Sequence, residues 1–510
     1  MRKAVLFRIV MWAVVFWSVA APSGHAVELM PVARYATGIF DKSAAEIVAY
    51  DAAGRRLFVT NAASRTVDIL RLARDAAGRP ALIKAGALAL GPVQAPTSVA
   101  VHNPDAAGKP GRILLFSTAG KRLASLAAGA LPDMVTFTPD GQVILAANEG
   151  EPEGALDPKG SITIITLGHG AQRVSAAQAV TVGFDNFTAS ALKARGVRLF
   201  PGRMPARDLE PEYITIAPDS ATAWISLQEN NALARLDIRR KKITAIYGLG
   251  LKDHARPGQG LDPNDKDGPH IAPHPVWGMY MPDGIAAYRV KGQDYIVSAN
   301  EGDARDEDVK LARARLDPGA LSAKERRALG RLHISSIDGD VDGDGDIDRP
   351  QSYGARSFSI WSGGGRLVFD SGDDFEQRLA RRHGDQFNAD NDKPHSGDKR
   401  SDNKGPEPEG VVLGALGGRV YAFIGLERDS GIMVYDVSDP HAPVFATYAA
   451  TRNFSSELAY DTPAGLARAG DLGPEGLAFI APADSPYGAA LLVVANEVSG
   501  TVMLYSFKQD

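Results

Sequence analysis

The strongest constraint on this chain is a repeat. A proline–acid turn opens one apolar strand, and the next apolar strand ends in Asn-Glu or a close equivalent. The pairs are Pro132-Asp133 with Asn148-Glu149, Pro211-Glu212 with Gln228-Glu229, Pro282-Asp283 with Asn300-Glu301, Pro408-Glu409 with Leu426-Glu427, and Pro474-Glu475 with Asn496-Glu497. A repeated unit dictates architecture, because stacking such units builds one continuous core. It also delivers the same side-chain chemistry to equivalent positions.

Most apolar runs are four to eight residues, rich in Val, Ile, Phe and Tyr and bounded by Gly, Pro, Asp or Asn; Leu57–Thr60, Val143–Ala147, Tyr295–Ala299, Val420–Gly425 and Leu491–Ala495 are examples. These are strand signals. The clearest helix is Ser322-Ala323-Lys324-Glu325 leading into Arg326–Leu332, in the form of a capping box. One full unit reads as four strands, Gly410–Leu416, Arg419–Gly425, Ile432–Val437 and Val444–Tyr448. Four antiparallel strands repeated around an axis make a β-propeller.

First strands near Glu46, Thr97, Asp133, Glu212, Asp283, Glu409 and Glu475 predict an all-β, seven-bladed propeller over residues 27–510. The last repeat has three strands. Val32–Phe40 is expected to supply the fourth, pairing the N- and C-terminal strands so that no edge is left open. The unit between Thr97 and Asp133 reads as one strand short. Asp185–Arg207, Gly250–Val276, Asp303–Tyr353 and Ser371–Gly405 are long polar insertions, a length that usually carries function or disorder.

In a blade, the start of the first strand and the end of the second meet at one face. The repeat therefore predicts an acidic rim at the central channel: Glu46, Asp133, Glu149, Glu212, Glu229, Asp283, Glu301, Glu409, Glu427, Glu475 and Glu497. Crowded carboxylates raise one another's pKa unless cations, arginines or backbone N–H groups relieve them. Arg65, Arg305, Arg356, Arg400 and Arg428 are candidate partners. The competing reading is local: each acid accepts hydrogen bonds from its own turn.

A second acidic pattern is more explicit. Asp340, Asp342, Asp344, Asp346 and Asp348 alternate with Val341, Gly343, Gly345 and Ile347. Hard oxygen ligands at this spacing suit Ca²⁺, which takes about six to eight oxygens. Position 12 of an EF-hand register is Gln351 rather than Glu, so the reading is a free-standing calcium loop. The clusters Asp262–Gly268 and Asp398–Asn403 are weaker candidates for a cation site, and loops of this composition are more commonly solvated.

Other chemistry is thin. No cysteine occurs, which excludes thiol catalysis and disulfides. No nucleophile elbow, zincin motif or phosphate-cradling loop is present, and His254, His270, His274, His383 and His395 lack zinc-type spacing, so no catalytic residue is nominated. A formal charge of -5 provides no basic field for nucleic acid. Arg2, Lys3 and Arg8 precede an apolar stretch from Ile9 to Ala21 and then Gly24-His25-Ala26. That is a secretory signal peptide over residues 1–26 by pattern, and no later run reaches the roughly 18 apolar residues of a spanning helix.

Several longer stretches resemble the choice-of-anchor I family: Asn148-Glu149-Gly150-Glu151-Pro152, Asp208–Tyr213, Leu227–Ala232, Asn300–Asp303, Gly354–Trp361, Lys404–Gly410, Gly425–Arg428 and Gly473–Gly476. That family includes proteins similar to a mesenchyme-specific cell surface glycoprotein of biomineralising animals, and bacterial members labelled alkaline-phosphatase-like. The resemblance implies an extracytoplasmic propeller, and the chain stops at Asp510 without a sorting signal, so a periplasmic or secreted form is expected. The functional expectation is a calcium-binding, ligand-binding or surface-associated protein whose partner is a small-molecule, metal-bridged or surface ligand, with another divalent metal admissible at the channel mouth. The alternative is a metal-dependent phosphoesterase, by analogy with calcium-dependent phytases, in which Arg356, Arg400 and Arg428 bind the anion.

Overall fold

Short β-rich runs separated by tight turns pair with their sequence neighbours, and that is how this chain is built. A computed structural model describes residues 27–509 apart from 91–94, 97–99, 103–108, 118, 153, 169–172, 306 and 456. The expected signal peptide, residues 1–26, lies outside the described residues.

Among the described residues the strands form eight sheets, seven of them four-stranded. The first comprises Val48–Asp51, Arg56–Asn61, Thr66–Arg74 and Pro80–Ala89; the third comprises Pro132–Phe137, Val143–Asn148, Ser161–Thr166 and Gln178–Gly183. The fourth runs from Ile214–Ile216 to Lys242–Gly248, and the sixth from Pro408–Leu416 to Val444–Ala450. Each is an antiparallel meander in sequence order. The fifth is interrupted: Ile285–Val290 and Gln293–Ala299 pair with Phe358–Ser362 and Leu367–Asp370 across a long insertion. The seventh joins Pro474–Ile480, Leu491–Asn496 and Thr501–Gln509 to Val27–Ala36, paired from Val27 opposite Gln509 to Ala36 opposite Thr501 with a bulge between Pro31 and Ala33. The N-terminal strand thus begins five residues earlier than the expected Val32.

The second sheet corrects an expectation. It has four strands, Ala95–Pro96, Ala100–His102, Pro110–Phe116 and Arg122–Ala130. The strand that the sequence seemed to lack is two residues long, too short to leave a pattern. Thr97 lies outside the described residues.

Successive sheets share apolar clusters. Ile113 of the second packs with Ile144 of the third, Leu145 of the third with Ile225 of the fourth, and Trp224 of the fourth with Trp361 of the fifth. Val297 of the fifth meets Ile424 of the sixth, Phe423 of the sixth meets Leu492 of the seventh, and Val493 of the seventh meets Leu57 of the first. Val67 of the first meets Leu114 of the second. Strand alternation sends opposite faces of one sheet into two such clusters, as Phe423 and Ile424 do.

The insertions are ordered. Leu251–Asp253, Trp277–Met279, Gln351–Ser352, His333–Ser335 and Asp308–Lys310 make the eighth, five-stranded sheet. The predicted capping box forms at Ser322, whose side chain accepts from Glu325 N while Glu325 reciprocates, opening the helix Ala323–Leu329. A second helix, Asp374–His383, lay unread in the sequence; Asp374 and Glu376 sit in its first turn and Arg381, Arg382 and His383 in its last, matching the helix dipole. The loops expected to be solvated are not: Asp262, Asp265, Asp398 and Asp402 are buried, and they accept from His270 N, Arg331, Gly268 N and Lys310 respectively. His254 is buried too, its Nδ1 against Gln259 O.

Candidate functional site: a convergence of buried carboxyls

The proline–acid repeat has a structural cause, a β-bulge at the entry to each first strand. In the third, sixth and seventh sheets the register slips between Pro132 and Val135, Pro408 and Val411, and Pro474 and Leu477, so that one extra residue is accommodated each time. Elsewhere the same two-against-one pattern appears as hydrogen bonds. Glu46 N donates to Thr60 O while Thr60 N donates to Ile47 O; Glu212 and Tyr213 do the same around Ser226, and Asp283 and Gly284 around Ala299. A bulge re-aims one side chain out of the sheet's alternation. Here that side chain is the acid.

The residue before the proline carries strain. Leu131, Met281 and Glu407 have φ of 46°, 44° and 50°, in the left-handed region; the seventh sheet has Gly473 there, at 69°. The carbonyls of Leu131, Glu407 and Gly473 accept the N–H of Glu149, Glu427 and Glu497. One backbone contact therefore ties the acid at the start of the first strand to the acid after the second. Cost of this kind concentrates where a site needs fixed geometry.

A glycine follows the acid in three sheets and lets neighbouring first strands touch. A Cβ on Gly284, Gly410 or Gly476 would lie 2.4, 2.0 and 2.4 Å from the carbonyl oxygens of Glu409, Glu475 and Glu46. Backbone approaching this closely brings the carboxyls of adjacent sheets together. Ligand oxygens of Asp283, Glu301 and Glu409 lie within 4.8 Å of one another, as do those of Glu301, Glu407 and Glu427. Asp133, Asp283 and Glu475 line a cavity of about 90 Å³ together with Tyr213, Ile47 and Gly410.

The electrostatics divide this convergence in two. Burial first, and then like charge, pushes up Glu212 (from Glu229), Asp283 (from Glu301), Glu409 (from Glu427 and Glu475), Glu475 (from Glu46) and Glu149 (from Asp133). Burial alone lifts Asp133 to about 6. Glu46, Glu229, Glu427 and Glu497 are raised as well, each chiefly by burial. One carboxylate oxygen on each of Glu212, Glu229, Glu409 and Glu475 is buried without a hydrogen-bond partner. Buried acceptors are normally paired, so four such atoms among one group of acids need a reason.

Glu407 is the opposite case. Burial works to raise it, but Lys404, Arg400 and Arg428 together hold it well below the usual carboxylate range. Lys404, 7% exposed, donates to Glu301 Oε1 at 2.7 Å and Asp303 Oδ1 at 3.1 Å, and its Nζ lies 3.3 Å from Glu407 Oε2. Arg428 Nε donates to Glu407 Oε2 at 3.1 Å, and Nη1 to Asn391 Oδ1 at 2.9 Å. Arg400 donates to Glu407 from Nε at 2.8 Å. Arg305 pairs with Asp208 and Glu210, yet burial outweighs it and both carboxyls stay above their ordinary values.

Of the arginines expected at an anion site, Arg400 and Arg428 are thus engaged with Glu407. Arg356 stands apart: it is 3% exposed, pairs with Glu376 at 2.8 Å, and donates to the carbonyls of Asp262, Ser401 and Asn403. It ties three insertion segments together. The sequence reading missed Glu407, Glu210 and Lys404. A signal for the two acids was present, since Glu210-Pro211-Glu212 and Glu407-Pro408-Glu409 both carry a carboxyl two residues ahead of the rim acid.

The Asp340–Asp348 segment lies elsewhere, at the end of the five-stranded insertion. Its acids fall into two groups. Asp340, Asp342 and Asp344 have ligand oxygens within 4.8 Å of one another and are exposed; Asp346 and Asp348 instead face Asp317. Asp340 accepts from Gly343 N and Gly345 N, and Asp342 from Asp344 N, so the exposed arc is a chain of Asx turns.

A choice-of-anchor I domain model matches residues 46–440. Gigasin-3a from Magallana gigas is 30% identical over 204 residues, covering 39% of this chain and 70% of that protein. Among solved structures, hydrazine synthase from Kuenenia stuttgartiensis is similar over 93% of this chain and 100% of its own, at 13% identity and a TM-score of 0.44. The WD40 domain of Neurospora crassa Pan2 is similar over 94% and 95%, at 8% identity and a TM-score of 0.42. No helix among the described residues is long and apolar enough to cross a membrane. With a family model spanning most of its length and the family's acidic stretches in place, the chain belongs to the choice-of-anchor I family.

Proposed function

We propose that this protein is an exported, cation-binding β-propeller that acts as a ligand-binding or surface-associated protein. Residues 1–26 would be removed on export, and residues 27–510 form one domain. The seven four-stranded sheets are the blades of a closed ring: each shares an apolar cluster with the next, and the seventh with the first, which supports that reading. The rim acids Glu46, Asp133, Glu149, Glu212, Glu229, Asp283, Glu301, Glu409, Glu427, Glu475 and Glu497 then face one channel mouth.

The observation that carries the cation reading is the set of unpartnered, buried oxygens on Glu212, Glu229, Glu409 and Glu475. An all-carboxylate donor set is hard and suits Ca²⁺, Mg²⁺ or Mn²⁺. Asp283, Glu301 and Glu409 would hold the ion, with Glu475, which shares a cavity with Asp283, assisting. The exposed arc Asp340, Asp342 and Asp344 would bind Ca²⁺ separately. A bound cation also gives the site its use, by bridging the protein's carboxylates to an anionic group on a small molecule or surface.

Engagement of Arg356, Arg400 and Arg428 with carboxylates and carbonyls favours binding over phosphate-ester hydrolysis. The test is calorimetric titration of the mature chain with Ca²⁺, Mg²⁺ and Mn²⁺ after chelation, beside Glu409→Gln. Saturable binding that weakens at least tenfold in the variant supports the proposal; unchanged binding removes it. Metal-dependent turnover of phosphomonoesters, abolished by Glu409→Gln, would replace binding with catalysis.

A further inference from the structure

The alternating aspartates read in sequence as one calcium loop. We infer that they serve two cations, and that the second site is built by Asp317, Asp346 and Asp348, with Asp317 coming from a different segment. It goes beyond the proposed function and uses none of the rim acids.

The geometry begins with a parallel bridge between Leu316 and Ile347. Ile347 N donates to Arg315 O, and Asp317 N donates to Ile347 O, which locks the two extended segments side by side. Leu316 and Ile347 both enter the apolar cluster of Leu261, Leu311, Leu329 and Leu332. Side chains alternate along extended backbone, so the residues flanking the bridge project the other way. Those residues are Asp317 after Leu316, and Asp346 and Asp348 on either side of Ile347. Ligand oxygens of these three lie within 4.8 Å of one another.

The second, independent observation concerns Asp346. It is only 9% exposed, and its Oδ1 is buried without a hydrogen-bond partner. Arg315 is the cation whose charge acts on Asp346, and it does so against burial and the neighbouring Asp344, which together keep the Asp346 carboxyl raised. One oxygen on each of the other two is already fixed: Asp317 Oδ1 accepts from Gly319 N, and Asp348 Oδ2 from Val341 N. These bonds orient the carboxylates and leave their second oxygens for an ion. Three hard oxygens, completed by water and carbonyl groups, suit Ca²⁺. The ion would staple the turn after Leu316 to the loop 339–349, beneath which lies only a small apolar cluster.

The test counts Ca²⁺ bound at saturation to the full mature chain, by equilibrium dialysis with elemental analysis. Asp317→Asn should lose one ion relative to the parent, Asp342→Asn one, and the double variant two. Asp346→Asn should also lose one ion, while its melting temperature in chelator rises or stays level because a buried unpaired carboxylate is gone. The inference fails if Asp317→Asn and Asp346→Asn retain the parent's full count, or if Asp342→Asn alone removes everything these variants remove. Loss confined to Asp342→Asn would sink the second site and leave the exposed arc standing, and Glu409→Gln reports on the rim independently. If Asp317→Asn does not fold, the Asp346→Asn count decides.

Discussion

Glu407 and Glu409 stand two residues apart at the entry to one strand, and both are withdrawn from water, yet their carboxyls are driven in opposite directions. Glu407 is ringed by Lys404, Arg400 and Arg428 and held ionised. Glu409 faces Glu427 and Glu475, keeps a buried oxygen unpartnered, and is pushed toward its neutral form. The difference does not originate in the strand, whose bulge is common to the family of repeats. It originates in the insertion before it, residues 371–405, which carries two of the three cationic groups. Part of the acid convergence thus has a built-in counter-ion, and part depends on an ion from solution or on protons.

The largest break in this contrast comes from Lys404→Met. Removing the cation leaves Glu407, Glu301 and Asp303 without it, and truncating one partner of a buried pair costs about 3–5 kcal/mol. Urea unfolding should show that loss, partly restored by a divalent cation if an ion can take the ammonium's place. A loss below about 1 kcal/mol would mean that Arg400 and Arg428 suffice.

Gly410→Ala attacks the approach of neighbouring strands. The new Cβ would sit 2.0 Å from Glu475 O, and overpacking of this kind costs about 1–3 kcal/mol. Cation affinity should fall along with stability, whereas Gly418→Ala, in a turn with open space around it, should spare affinity.

The pH dependence sharpens the contrast further. Asp133 is raised by burial to about 6, and Glu46 is raised by burial and by Glu497, so both hold protons in the folded state that the unfolded chain has released. Groups raised in this way contribute stability that is full below the unfolded pKa, near pH 4, and is lost as pH climbs through the folded value. In chelator the protein should therefore lose about 2 kcal/mol or more from pH 4 to pH 7. Glu407, held low, works in the opposite sense: its contribution is full above its unfolded value of 4.5 and is lost as pH falls below it. Added Ca²⁺ should flatten the decline; a profile in chelator that rises over this window would refute the assignment.

Glu409→Gln should have the smallest effect on stability, a change of no more than about 1 kcal/mol in chelator, since a neutral amide replaces a carboxyl already pushed toward its neutral form. The gain in melting temperature that a divalent cation gives the parent should shrink by the rim's share, leaving only what the aspartate sites supply. Differential scanning calorimetry at matched ionic strength reads both.

The legibility of this molecule follows the range of the interaction. Asp133, Asp283, Glu409 and Glu475 could be read because a bulge is a local device with a local signature, proline before and often glycine after. Asn148, Asn300 and Asn496 mark the ends of second strands for a similarly local reason. Lys404 could not be read, since what makes it matter is its approach to Glu301, more than a hundred residues away. Arg356 was read as an anion ligand because its partner, Glu376, lies on a short helix whose apolar face is only Phe375 and Leu379, too little to announce it inside a polar insertion. The aspartate run announced a cluster of carboxylates but not which of them meet, since Asp317 reaches Asp346 and Asp348 only from across a bridge. The two-residue strand Ala95–Pro96 was lost to brevity alone.

The pairing of Val27–Ala36 with Thr501–Gln509 has a kinetic consequence. The seventh sheet pairs Val27–Ala36 with Thr501–Gln509, so during vectorial synthesis the earlier strand waits, unzipped, until the residues between the two have emerged. Contacts of such long sequence separation form slowly, and meanwhile the partner strand is exposed to any other β-edge nearby. The last sheet to be knitted is then also the one most open to mispairing between nascent chains.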